Sequence, residues 1–171
     1  MSKVILQPCG DAHAIQHYEE TIAQPVTLDS IRHCLSDEEF DELSRVYPDG
    51  NTRIWGVTPG AKGVNARKWD RIHPGDVTLI ARNGAIFASA VTTYKTHNLR
   101  LATHLWGDNG NGATWEYVYF VSEVKRQQIP YLDFNQAVGY QPNYIIQGFN
   151  VLDEQKSISV LEVFDLNSET Y

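Results

Sequence analysis

The stretch that decides the fold opens on Arg53-Ile54-Trp55-Gly56-Val57 and closes on Thr114-Trp115-Glu116-Tyr117-Val118-Tyr119-Phe120. Between these runs lie Val77-Thr78-Leu79-Ile80-Ala81 and the apolar segment 86–93, with a turn signal at each junction. Thr58-Pro59-Gly60 follows the first run, and His73-Pro74-Gly75-Asp76 launches the second. Asn83-Gly84 joins the second to the third, and this dipeptide is the strongest short hairpin signal. Residues 65–72 are long enough for about two helical turns. Short strands at 54–57, 77–81, 86–93 and 115–124, separated by polar turns, predict an α+β protein: a small mixed or antiparallel β-barrel flanked by helices.

Outward from this stretch the pattern changes. Residues 1–10 read as a short strand or extended lead-in, and 12–21 as a helical turn or two. Leu28, Ile31 and Leu35 recur at helical spacing, with Thr27 or Asp29 as the cap. Ser36-Asp37-Glu38-Glu39 has the form of a capping box, with acids where the helix dipole favours them. On the other side, 132–138 reads as a short helix ended by Gly139. Residues 144–152 read as a last strand with a bulge at Gly148, and Asp153 begins a final helix. With no repeat or linker, 1–171 is expected to be one domain, in which 1–52 form an N-terminal helical extension.

The chain has 171 residues and a formal net charge of −7, which at first argues against a nucleic-acid partner. The distribution argues the other way. Residues 1–52 carry −7, residues 53–104 carry +6 and residues 105–171 carry −6. Arg53, Lys62, Arg67, Lys68, Arg71, Arg82, Lys95 and Arg100 are thus a basic island in an acidic chain, either a solvated face or a set of phosphate contacts. No apolar run approaches the roughly 18 residues that span a bilayer, so no membrane partner is expected. The two cysteines, Cys9 and Cys34, offer no ligand spacing and no disulfide framework; reduced thiols in a cytoplasmic protein are the simplest account.

The motifs of catalysis are missing. The six histidines are scattered, with no His-Glu-x-x-His or Cys-x-x-Cys spacing. His13 and His17 could share a helix face but lack a third ligand, so neither a metal nor a cofactor is expected. Gly107, Gly110 and Gly112 precede a strand rather than a helix and do not match a dinucleotide fingerprint. Binding is better supported. All four tryptophans, Trp55, Trp69, Trp106 and Trp115, fall inside the deciding stretch. Trp106 stands in Gly/Asn/Asp surroundings that read as a loop, and Trp69 follows basic residues. Aromatic faces so placed would sandwich a planar base, at about 1–3 kcal/mol per stacked base. The alternative is that each packs the core beneath its loop, which is the preferred reading for Trp115 and an open one for Trp55. Asn65 and Asp108 are the polar groups expected beside the rings, able to meet a base edge. Asn109 and Asn111 read as turn residues, and Asp76 as a group that satisfies turn amides.

The order of Trp55, Trp69, Pro74-Gly75-Asp76 and the Trp106 segment resembles the EVE domain and its YTH relatives, of the PUA-like superfamily. The resemblance covers about Arg53 to Phe149. The segment Leu105-Trp106-Gly107 to Thr114-Trp115-Glu116-Tyr117 is similar to EVE-type domains of modification-dependent restriction endonucleases. It implies a non-catalytic reader of double-stranded DNA that holds a flipped methylated or hydroxymethylated base, cytosine before adenine, in an aromatic cage. Trp69 and Trp106 would form the cage, Trp55 its floor or wall, and Lys62, Arg67, Lys68, Arg71, Arg82, Lys95 and Arg100 would hold phosphates. A fused or separate nuclease is the partner implied. The alternatives are a YTH-like reader of methylated adenine in RNA and a PUA-like protein that binds a nucleotide or other small molecule.

Overall fold

A computed structural model describes residues 1–108, 110 and 112–170. Among them, β1 (Val4–Pro8), β2 (Val26–Thr27), β3 (Asn51–Val57), β4 (Val77–Arg82), β5 (Ala85–His97), β6 (Tyr117–Pro130) and β7 (Asn150–Val151) form one sheet in the order β2-β3-β6-β5-β4-β1-β7. All pairings are antiparallel except that of β1 with β4. Helices α1 (Ala12–Tyr18), α2 (Leu28–Ile31), α3 (Asp37–Val46), α4 (Val64–Asp70), α5 (Leu99–Trp106), α6 (Tyr131–Val138) and α7 (Glu154–Val163) flank it. The α+β class and the mixed, mostly antiparallel sheet are those expected. Among the described residues no helix is long and apolar enough to cross a membrane.

Local chemistry explains most of these elements. Asn83 (φ 53°) and Gly84 (φ 77°) take the two left-handed positions of the β4–β5 hairpin, where Arg82 faces Ala85. Ser36 caps α3 reciprocally: the Glu39 N–H donates to Ser36 Oγ, and the Ser36 N–H to Glu39 Oε1, both at 3.1 Å. The Pro74-Gly75-Asp76 turn does more than start β4. The buried Asp76 carboxylate accepts main-chain N–H groups of Lys3 and His73, each at 2.8 Å, and pairs with Lys3 Nζ at 3.3 Å. It thereby locks the beginning of β1 beside the beginning of β4, and the Val77 N–H donates to Lys3 O at 2.9 Å.

Residues 1–52 therefore supply β1 and β2 to the shared sheet as well as three helices. Strand alternation distributes β1 between two cores. Val4 and Leu6 pack with β4 and β5 residues under α6 and α7, while Ile5 packs on the opposite face with Trp55, Trp69 and Tyr119. A third core lies under α2, α3 and α5, where Ile54, Val118 and Phe120 meet Leu43 and Leu101. Two expectations need correction. The last strand is only Asn150–Val151, because residues 140–149 are mostly irregular, with a turn at 142–143 and Tyr144 and Ile145 exposed. Helix α5 was not foreseen; Asn98 caps it by accepting the Leu101 N–H at 2.8 Å.

Candidate nucleic-acid interface

A cleft of about 570 Å³ opens between α1, the ends of β1 and β3, the start of α4 and residues 147–149. This lies within the roughly 300–1,000 Å³ of small-ligand sites. Trp55, Trp115, His13 and His17 bring rings to its lining, and Gln7, Asp11, Asn65 and Lys68 bring polar groups. Its position follows from the fold. Trp55 is on the face of β3 that points toward α1, and His13 and His17, four residues apart, lie on the cleft side of that helix.

The rings form a connected set. His17 stacks on Trp106, with centroids 5.2 Å apart at 29°, and meets Trp115 edge-on at 4.2 Å and 89°. His13 lies 5.7 Å from Trp115. His17 is only 5% exposed. Burial, which disfavours the cation, pushes its pKa down to about 4 against the smaller opposing pull of Glu20 and Asp11; His13 adds to the lowering. The imidazole is therefore neutral at physiological pH and behaves as an aromatic surface. Two wall residues carry unpaired buried polar atoms: Trp55 Nε1, a donor, and Gln7 Oε1, an acceptor. Each such atom costs about 1–3 kcal/mol, which the polar edge of a ligand could offset.

The residues expected at the site divide. Trp55 and Asn65 line the cleft, as does Lys68, whose Nζ donates to Phe149 O at 2.8 Å. Trp106 is not on a loop. It is the last residue of α5 and backs the cleft by way of His17. Trp69 is on α4, is 9% exposed, and points its indole N–H at Val118 O (3.1 Å), beneath the cleft. Asp108 is exposed and accepts the Gly110 N–H at 2.7 Å in its own turn. Asn109 and Asn111 lie outside the described residues. Trp115, read from the sequence as core, is half-buried and lines the cleft. His13, His17 and Gln7 were missed. The only signal in the sequence was the spacing of the two histidines.

The basic island does not form one face. Arg71 donates to Val151 O at 3.1 Å. Lys95 donates to Asp70 O at 2.8 Å and sits 4.5 Å above the Trp69 ring. Lys62, Arg67 and Arg100 are exposed, and Arg67 also donates to Lys62 O. Arg82 lies over the ring of Phe87 on the far side of α1. There it lines a second cleft of about 600 Å³ with Tyr18, Arg53, Lys125 and Arg126. Among the described residues no carboxylate lines this cleft, although the Lys125 ammonium at its edge pairs with Glu169 at 2.7 Å. Its aromatic faces are already occupied, since Tyr18 packs edge-on against Phe87 at 5.1 Å. Lys125 and Arg126 escaped notice in the sequence because they sit in a segment whose total is acidic.

No family model and no curated protein matches the chain. A solved structure does: the N-terminal domain of Thermococcus gammatolerans McrB bound to m5C DNA. The likeness has a TM-score of 0.65 at 13% identity and covers 96% of this chain and 98% of that chain. Coverage this high takes in most of residues 1–52, and at this identity it speaks to architecture alone. The chain has the α+β fold of that domain.

Proposed function

We propose that this protein is a non-catalytic reader of modified DNA. A methylated or hydroxymethylated base, cytosine before adenine, leaves the duplex and enters the cleft framed by Trp55, Trp115, His13 and His17. The observation that carries this reading is a base-sized aromatic cleft on a fold shared with a domain whose solved structure is bound to m5C DNA. Extrusion costs a few kcal/mol, which stacking on the rings offsets. Trp55 Nε1, Gln7 and Asn65 would meet the polar edge of the base, and Trp106 would hold His17 in place. Trp69 would act from beneath, as support for the wall. Lys68 in the wall of one cleft, the exposed Lys62 and Arg67 near it in sequence, and Arg53, Arg82, Lys125 and Arg126 at the other cleft would take phosphates. Cutting, if it follows recognition, would fall to a nuclease partner.

The test is equilibrium binding of the full chain to duplexes identical except for one base: unmodified, 5-methylcytosine, 5-hydroxymethylcytosine or N6-methyladenine. One modified duplex is expected to bind at least about tenfold more tightly, a 1.4 kcal/mol preference, and Trp115→Ala should erase the difference. Equal affinity for all duplexes would refute a DNA reader. A methylated RNA that outcompetes every duplex would move the assignment to RNA.

A further inference from the structure

His33, Cys34 and His104 converge on one point away from both clefts. His33 and Cys34 come from the single 3-10 turn Arg32–Cys34, and His104 comes from α5. Their ligand atoms all lie within 4.8 Å of one another. The two imidazoles meet edge-on, with centroids 4.7 Å apart at 88°. In a tetrahedral site, Zn–S bonds of about 2.3 Å and Zn–N bonds of about 2.0–2.1 Å set ligand atoms about 3.3–3.6 Å apart. Closure thus needs a movement of about 1 Å, which side-chain rotation of two exposed imidazoles supplies.

The backbone is already arranged for it. Asn98 donates from Nδ2 to Cys34 O at 2.8 Å, and its Oδ1 accepts the Leu101 N–H at 2.8 Å. One side chain therefore fixes both elements that carry the ligands. The buried thiol and two imidazoles are a borderline-soft donor set without carboxylates, which selects Zn²⁺ over Mg²⁺ or Ca²⁺.

We propose that His33, Cys34 and His104 bind a thiophilic divalent cation of the Zn²⁺ class, which staples the Arg32–Cys34 turn to α5. Three protein ligands leave the fourth position to water or an added ligand. The staple has a local consequence. Two residues beyond His104, α5 ends at Trp106, which stacks on His17 at the aromatic cleft. Occupancy of the metal site therefore immobilises that wall, whatever the cleft binds.

The experiment uses the reduced, metal-free full chain and Co²⁺ as a spectroscopic probe. One Co²⁺ per chain is expected, with a thiolate-to-cobalt charge-transfer band that Zn²⁺ bleaches. The band should vanish in Cys34→Ser, and Zn²⁺ affinity should fall at least about tenfold in His33→Ala and His104→Ala. Absence of the band, or cobalt binding unchanged by these substitutions, overturns the site. Should Cys34→Ser fail to fold, the two exposed histidine variants decide the matter. Zn²⁺ should also shift the tryptophan emission of the wild type but not that of Trp106→Phe or His104→Ala. Metal binding without such a shift overturns the link to the cleft wall.

Discussion

Trp106 packs directly on the backbone of Gly56: a Cβ built there would lie 2.7 Å from Trp106 Cζ3 and 2.4 Å from the carbonyl oxygen of Trp115. Only hydrogen fits where β3 passes between the Trp106 ring and the Trp115 carbonyl. Gly56→Ala must displace a backbone oxygen as well as an indole, and overpacking of this kind costs about 1–3 kcal/mol. The expected result is a lower urea midpoint with an unchanged slope, together with altered tryptophan emission. Wild-type values for both would contradict the packing.

The neutral, buried His17 makes stability depend on acidity. Its folded pKa of about 4 lies below the unfolded value of 6.5, so the unfolded chain binds the extra proton first. Stability from this group is complete above about pH 6.5 and is lost as pH falls toward 4. The loss is about 2 kcal/mol, discounted from about 1.4 kcal/mol per unit because the ring borders an open cleft. Urea denaturation between these pH values should show a wild-type slope that His17→Phe removes. An identical slope in the variant would assign the effect elsewhere.

Trp69 and Trp115 should separate stability from recognition. Trp69→Phe removes the N–H donor to Val118 O and part of the platform under Lys95. It is expected to cost about 1–3 kcal/mol of stability and leave the ratio of modified to unmodified binding intact. Trp115→Ala, at a half-buried position, should do the reverse. Loss of discrimination in Trp69→Phe at full stability would place the base against Trp69.

Arg82 and Arg126 line the cleft without carboxylates, and their effect should not depend on the base. Each substitution to alanine is expected to weaken modified and unmodified duplexes alike and to reduce the salt slope by about 1. Slopes measured between low and physiological salt provide the check. A change in the ratio between duplexes would make these residues readers of sequence or modification.

Asp76→Ala tests the join between β1 and β4. It strands the Lys3 and His73 amides and removes the anionic partner of the Lys3 ammonium, and should cost about 2–3 kcal/mol. Thermal and urea denaturation measure it.

What the sequence revealed was local. Asn83-Gly84, the Ser36 capping box and the Asp76 turn each state their structure within four residues, and each is found as expected. The parallel β1–β4 pair was invisible, because parallel pairing carries no turn signal and its partners are far apart in sequence. The same distance hid the cleft. Trp115 begins an alternating strand pattern and reads as core, yet α1, about a hundred residues earlier in the chain, ends up facing it. Trp69 reads as exposed from its basic neighbours, but those side chains fold back onto carbonyls of residues 149 and 151 and leave the indole beneath them. Charge was legible as a total and misleading as a map.

The place of β1 has a consequence for how the chain acquires its structure. The Val4 N–H donates to Ser157 Oγ at 3.0 Å, across 153 residues of sequence, and Ile5 pairs with Val151. The first strand thus waits for the last of the described strands before its two edges are covered, and such remote pairing makes folding slow. Until then β4 presents an open edge of Val77, Leu79 and Ile80, a template for pairing with a neighbouring chain. Removal of the first eight residues would leave that edge open permanently, so self-association is the expected outcome of an N-terminal truncation.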